Sequence, residues 1–272
     1  MLTKLMRYEL KATARVMIPL CIIVLALASV TQITLWEFVI KVPGSDPNLV
    51  NIVLLAAAAA AMGAVLAASV VLIIQRFRSN LLGNEGHVML TLPVSIHQHI
   101  WAKLIVAVFW MLVTSFVLLE SIMALLYNGT LWMAFPSFQE TFNSFISYIT
   151  SFSTAAPDLS VWAALAIAFE AILLTSVDLC LQIYVSLALG HSFQKHKALL
   201  SVVFFLVIQV LYQLAWNTLP YLTGVASYLF PTQSHTEVYL LDLGSSMVFS
   251  ILWSAVLYGV TCYTLKHRLN LE

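Results

Sequence analysis

Read as a string of apolar and polar positions, the chain is six long apolar runs separated by polar stretches. The runs cover roughly 16–40, 50–75, 100–127, 159–190, 198–219 and 238–265. A helix needs about 20 mostly apolar residues to cross a bilayer core, and every run supplies them. None alternates with the period of two that a transmembrane strand requires. Each run therefore predicts a membrane helix, and the fold class is all-α integral membrane in one domain of six spans. The first run is too long for the apolar part of a signal peptide, and no small-residue cleavage site follows it.

Composition agrees with the pattern. Hydrophobic residues make up 61% of the 272, and charged residues 9%, against about 25% charged in a soluble domain. A soluble core of this length cannot hide so much apolar surface, so lipid is the expected solvent for most of it. The formal net charge is zero, which predicts no nucleic-acid partner. Cys21, Cys180 and Cys262 all lie in apolar runs, and their spacing suggests neither a disulfide framework nor a metal site. They read as small packing residues.

The position of the charges matters more than their sum. Lys4, Arg7, Lys11, Arg15, Arg76, Arg78, Lys103, Lys195, Lys197, Lys266 and Arg268 fall on one side of a six-span topology, and only Lys41 falls on the other. Positive charge marks the cytoplasmic side, so both termini and the 76–99 and 191–197 connections are expected in the cytoplasm. The outer connections carry the acids Asp46, Glu140, Asp158 and Glu237.

Three stretches outside the spans carry their own patterns. In residues 2–17, Lys4, Arg7, Lys11 and Arg15 form one basic stripe, with Leu2, Leu5, Met6, Leu10 and Met17 opposite. Such a helix lies in the inner interface with its basic face toward anionic lipid headgroups. Pro19 marks a break into the first span. Glu9 projects among the apolar residues, where it either meets a cation, Arg76 or Arg78, or snorkels to headgroup level. In residues 79–93, Leu81, Leu82, Val88, Met89 and Leu92 make a cytoplasmic connection more apolar than a simple loop, closed by Pro93. It predicts a protein partner, with local packing as the plainer alternative. In residues 136–153, after Pro136, Phe138, Phe142, Phe145, Ile149 and Phe152 step by four and three. They predict an outer amphipathic helix that caps the spans, rests on the outer leaflet or touches a cargo.

The apolar cytoplasmic stretch reads Asn80-Leu81-Leu82-Gly83-Asn84-Glu85-Gly86, then Met89, then Thr91-Leu92-Pro93. It resembles the loop between the second and third spans of a family of type-2 ABC exporter permeases common in Firmicutes. Lys4-Leu5-Met6-Arg7-Tyr8-Glu9-Leu10-Lys11 resembles that family's N-terminal elbow helix. Tyr263-Thr264-Leu265-Lys266 and Leu269-Asn270-Leu271 are similar to its C-terminal end. Asn84 and His87 depart from it, standing where an Asp and an aromatic residue are usual.

The resemblance implies a bacterial plasma-membrane permease that works as a dimer, with an identical or related second chain, on a pair of separate ABC ATP-binding subunits. Ser79, Asn80, Leu81, Leu82, Gly83, Asn84, Glu85, Gly86, Met89 and Leu92 would form the coupling helix that docks on the ATPase. Leu5, Arg7, Glu9, Lys11 and Arg15 would belong to the elbow, lying among membrane lipids. Residues 220–237, with Pro220, Gly224 and Pro231, would form a broken outer segment. The implied activity is ATP-driven export of an amphipathic cargo, such as a peptide, lipid-like molecule or drug. ATP and Mg would bind the partner, and this chain would need no cofactor.

Elementary chemistry divides the labour the same way. The sequence has no G-x-x-x-x-G-K-[ST] phosphate loop and no H-E-x-x-H metalloprotease motif. The chain is accordingly not expected to be an enzyme. His97 and His99 read as solvated loop residues rather than metal ligands.

Glu120, Glu170, Asp178 and Asp242 fall inside spans, where a centred acid costs about 2.5–3.5 kcal/mol on insertion scales. Glu170 and Asp178 are about 80° apart around a helix, close enough to share one broad protein-facing side. They are read either as a cargo path or proton site, or as protonated carboxyls bonding between helices. Ala56 to Ala61, Gly63, Ala64, Ala67 and Ala68 give the second span a small-residue surface suited to close helix packing, a dimer seam or a pathway wall. The resemblance places that span on the central path, so Gly63 joins Glu170 and Asp178 as candidate cargo-path residues. The competing function is a stand-alone secondary transporter or channel that uses the intramembrane carboxylates, for which broken mid-membrane helices or inverted repeats would be diagnostic.

Overall fold

The computed structural model describes residues 2–41, 49–79, 96–126, 143, 161–193, 196–229 and 235–267. It contains six long helices: α1 (Leu2–Lys41), α2 (Leu49–Phe77), α3 (Ile96–Leu126), α4 (Val161–His191), α5 (Lys197–Leu229) and α6 (His235–His267). All six are long and apolar enough to cross a membrane, and no strand occurs among the described residues. The chain is a multi-pass membrane protein.

Helix is the expected state here because lipid offers no partner to a free N–H or C=O, so each span must satisfy its own backbone. The same rule accounts for two differences from the sequence reading. Residues 2–17 are the first part of the continuous α1, which runs through Pro19 where a break was expected. Residues 220–229 continue α5 through Pro220, and 235–237 open α6, so those parts of the expected broken segment are regular helix. A proline removes only the bond to the carbonyl four residues back, Arg15 or Trp216 here. Ending the helix would strand several groups instead. Most of the expected coupling helix, residues 80–93, lies outside the described residues, as does the expected outer helix 136–153 apart from the helical Asn143.

The chain forms two compact units. The first comprises Tyr8–Leu72 and Phe109–Ser151. On α1, Met17, Cys21, Val24, Ala28, Thr31 and Leu35 are buried, in steps of four and three that trace a single stripe. Trp110 Nε1 donates to Thr13 Oγ1 at 2.7 Å, linking α3 to α1. Thr31 Oγ1 lies 3.3 Å from the Leu54 carbonyl of α2. Ser69 Oγ of α2 lies 3.7 Å from Met111 Sδ of α3. These polar contacts tie together helices whose exposed faces are largely apolar.

The other unit comprises Met1–Arg7, Ile73–Val108 and Phe152–Glu272. Its centre is α4, whose residues from Cys180 to Ala188 are all buried, with α5 and α6 packed against it. Backbone bonds close both helix ends at the α4–α5 junction. Ser192 N–H donates to the Leu189 carbonyl at 3.1 Å, and Leu200 N–H to the His196 carbonyl at 3.0 Å. His196 takes a left-handed φ of 57°. Gly190 is required at this corner, because a Cβ there would meet the backbone N and Cα of Ser201 at 2.6 and 2.7 Å.

Candidate functional site

The unit built on α4 holds the polar groups with the strongest claim to function. Asp178 sits near the middle of α4's membrane window, Phe169–His191, roughly 20 Å along the axis from the His191 end. Its side chain is buried, at 2% exposure. Ser254 of α6 donates its hydroxyl to Asp178 Oδ1 at 2.5 Å. Ser250, one turn earlier on α6, lies beside both Asp178 and Tyr212 of α5. The second carboxyl oxygen, Oδ2, is buried with no hydrogen-bond partner, and so are Gln182 Oε1 and Trp253 Nε1. Buried polar atoms are paired in the great majority of cases, so an unpaired carboxyl oxygen, with a second unpaired acceptor one turn along the same helix at Gln182, is informative.

Beside these groups lies an aromatic patch. Tyr212 and Trp216 on α5 and Phe249 and Trp253 on α6 are each spaced by four, so each pair stacks along its own helix, at 6.0 Å and 21° in both cases. Across the two helices, Tyr212 meets Phe249 at 5.8 Å and Trp253 at 5.7 Å, and Trp216 meets Phe249 at 5.8 Å. All four rings are half-buried. The i, i+4 aromatic pairs are visible in the sequence, but only the packing of α5 on α6 shows that they form one patch.

The roots of the 80–95 connection are also placed. Phe77, at the end of α2, stacks on Tyr184 of α4 with centroids 4.2 Å apart and planes 14° from parallel, and both rings are buried. Arg78 and Ser79 continue in π-helical geometry and are exposed. At the start of α3, His97 Nδ1 lies 2.7 Å from the hydroxyl of Tyr258 on α6 and 3.6 Å from Cys262 Sγ, and Trp101 packs against Tyr258 at 5.7 Å. His97 and His99 are thus helical and packed rather than solvated in a loop, and His99 is 3% exposed. The helix that starts at residue 96 buries His99 and leaves His97 exposed against Tyr258. The connection is therefore rooted on α4 at one end and on α6 at the other. Tyr184 lies six residues beyond Asp178, and Tyr258 one turn beyond Ser254.

The remaining sequence candidates are spread out. Glu170 is exposed on α4, so the structure separates it from Asp178 rather than placing both on one buried side. Glu120 is exposed on α3. Gly63 is exposed, with nothing within 4 Å of a Cβ placed there. Arg7, Lys11 and Arg15 are exposed on α1, while Leu5 and Glu9 are half-buried. Cys21 and Cys180 are buried and Cys262 is half-buried, all with free thiols.

No family model, curated protein or solved structure matches this chain.

Proposed function

We propose that this protein is the membrane-spanning permease subunit of an ATP-driven ABC exporter in a bacterial plasma membrane. It moves an amphipathic cargo outward with energy from a separate ATPase subunit. The single observation that carries the reading is the apolar connection 79–93 with its Asn80-Leu81-Leu82-Gly83-Asn84-Glu85-Gly86 and Thr91-Leu92-Pro93 motifs, placed between two spans of a six-span chain. The packing of its roots adds support. Phe77 rests on α4 and His97 on α6, so movement imposed on the connection would reach the two helices that hold Asp178 and Ser254. The exposed small face of α2, with Ala56, Ala60, Gly63 and Ala67, suits the close approach of a second permease chain.

The decisive test is co-purification of tagged full-length protein from its native host in mild detergent. An ATP-binding cassette subunit is expected to be retained by the wild type. Leu82→Asp, which puts a charge into the apolar docking face, is expected to reduce retention at least tenfold without altering membrane insertion. Failure of the wild type to retain any such subunit, or unchanged retention by Leu82→Asp, would refute the reading.

A second reading, a secondary transporter driven by ion or proton movement, is favoured by the buried Asp178 with its free oxygen. Cargo transport by purified protein in vesicles with an ion gradient and no ATPase would select it.

A further inference from the structure

We propose that Asp178 and the α5–α6 aromatic patch form a binding site for an organic cation, a bulky ammonium or phosphonium ion with apolar substituents. The inference gives the exporter reading a cargo class and rests on that reading only for the direction of movement.

Asp178 is 2% exposed in the middle of a membrane helix, and no Lys or Arg among the described residues pairs with it. Ser254 satisfies one oxygen, while Oδ2 and the nearby Gln182 Oε1 are acceptors with no donor. Trp253 Nε1 on α6 is a buried donor without an acceptor. A buried carboxylate needs a counter-charge when it is ionised, and in that form Asp178 has no positive partner of its own among the described residues.

The aromatic rings narrow the nature of that partner. Tyr212 lies beside Ser250 and Asp178 and packs against Trp253, and the faces of aromatic rings carry the negative end of a quadrupole that attracts cations. A small divalent ion such as Mg or Ca demands about six or more oxygen ligands, which the side chains gathered here do not supply. A large, weakly hydrated organic cation needs few: one carboxylate for its charge and ring faces for its substituents. The half-buried Trp216 and Phe249 adjoin Tyr212 and enlarge the apolar surface, as an amphipathic cation requires.

The test uses tetraphenylphosphonium and the full-length chain in lipid nanodiscs without any ATPase, with partition into empty discs subtracted. Saturable binding to the wild type is expected. Asp178→Asn is expected to weaken it tenfold or more. Trp216→Leu and Phe249→Leu are each expected to weaken it about threefold or more. Glu120→Gln, which removes an exposed acid elsewhere, is expected to bind as the wild type does. The proposal is overturned if the wild type shows no saturable binding, or if folded Asp178→Asn keeps wild-type affinity. Should Asp178→Asn fail to fold, the two ring variants decide, and unchanged affinity in both overturns the site. Because no ATPase is present, saturable binding by a protein that retains no ATPase in the co-purification would refute the exporter reading and leave the site standing.

Discussion

At the scale of single residues, the hydroxyls do more than their size suggests. Thr13 accepts from the Trp110 indole at 2.7 Å and donates back to the Glu9 carbonyl of its own helix at 2.9 Å. Removing the hydroxyl leaves a buried indole N–H with no acceptor, which costs about 1–3 kcal/mol. Keeping it while removing only the methyl group costs about 1 kcal/mol or less. Thr13→Val is therefore expected to lower the unfolding free energy in mixed micelles by more than Thr13→Ser does. Equal losses would mean that packing, and not the hydrogen bond, holds α3 to α1. Asp178 illustrates the converse. A carboxylate with one oxygen satisfied and one free is poor material for stability, since a half-satisfied polar group in a low dielectric costs more than an apolar one. The cation site proposed above would give that oxygen a partner.

At the scale of elements, the α4–α5 corner sets how closely two helices run. Gly190→Ala places a methyl group against the backbone N and Cα of Ser201, atoms that cannot turn aside as a side chain can. The helices must part, and overpacking of this kind costs about 1–3 kcal/mol. A lower melting temperature is expected for Gly190→Ala, and Ser201→Ala is expected not to rescue it, because the clash is with backbone. Rescue would show that the Ser201 hydroxyl alone is the obstacle.

The six spans were legible in the sequence, because hydropathy decides which stretches lipid will hold, though α1 starts earlier and α5 ends later than their apolar runs. Two helix interruptions were misplaced, at Pro19 and at Pro220, because proline's local cost was weighed without the larger penalty that lipid puts on a broken backbone. The pairing of Asp178 with Ser254 was not legible, since 76 residues separate them and no local pattern connects them. Glu170 looked equivalent to Asp178 on a helical wheel. The 80° between them is enough to carry one acid out of the bundle while the other stays buried.

At the scale of the whole molecule, the distribution of Lys and Arg predicts a single orientation in the membrane, with both termini inside. Ser79 is exposed just past the end of α2 and offers a direct check. In a protein carrying Cys21→Ala, Cys180→Ala and Cys262→Ala, Ser79→Cys is expected to react with a membrane-impermeant maleimide in inside-out vesicles and to stay unlabelled in intact cells. Labelling in intact cells would invert the topology and place the 79–93 connection out of reach of a cytoplasmic ATPase, ending the exporter reading by an independent route.

The distance in sequence between Asp178 and its partner also sets an order of assembly. α4 leaves the ribosome before α6 exists, and the 76 residues between Asp178 and Ser254 take roughly 4–15 s to synthesise at typical rates. Through that interval the newborn α4 holds its acid without the hydroxyl that later receives it, so it must wait beside the insertion machinery or enter lipid as the neutral acid. A chain truncated after α5 never receives that hydroxyl, and rapid clearance by membrane proteases is its expected fate. Asn in place of Asp178 would prolong the survival of the truncated chain.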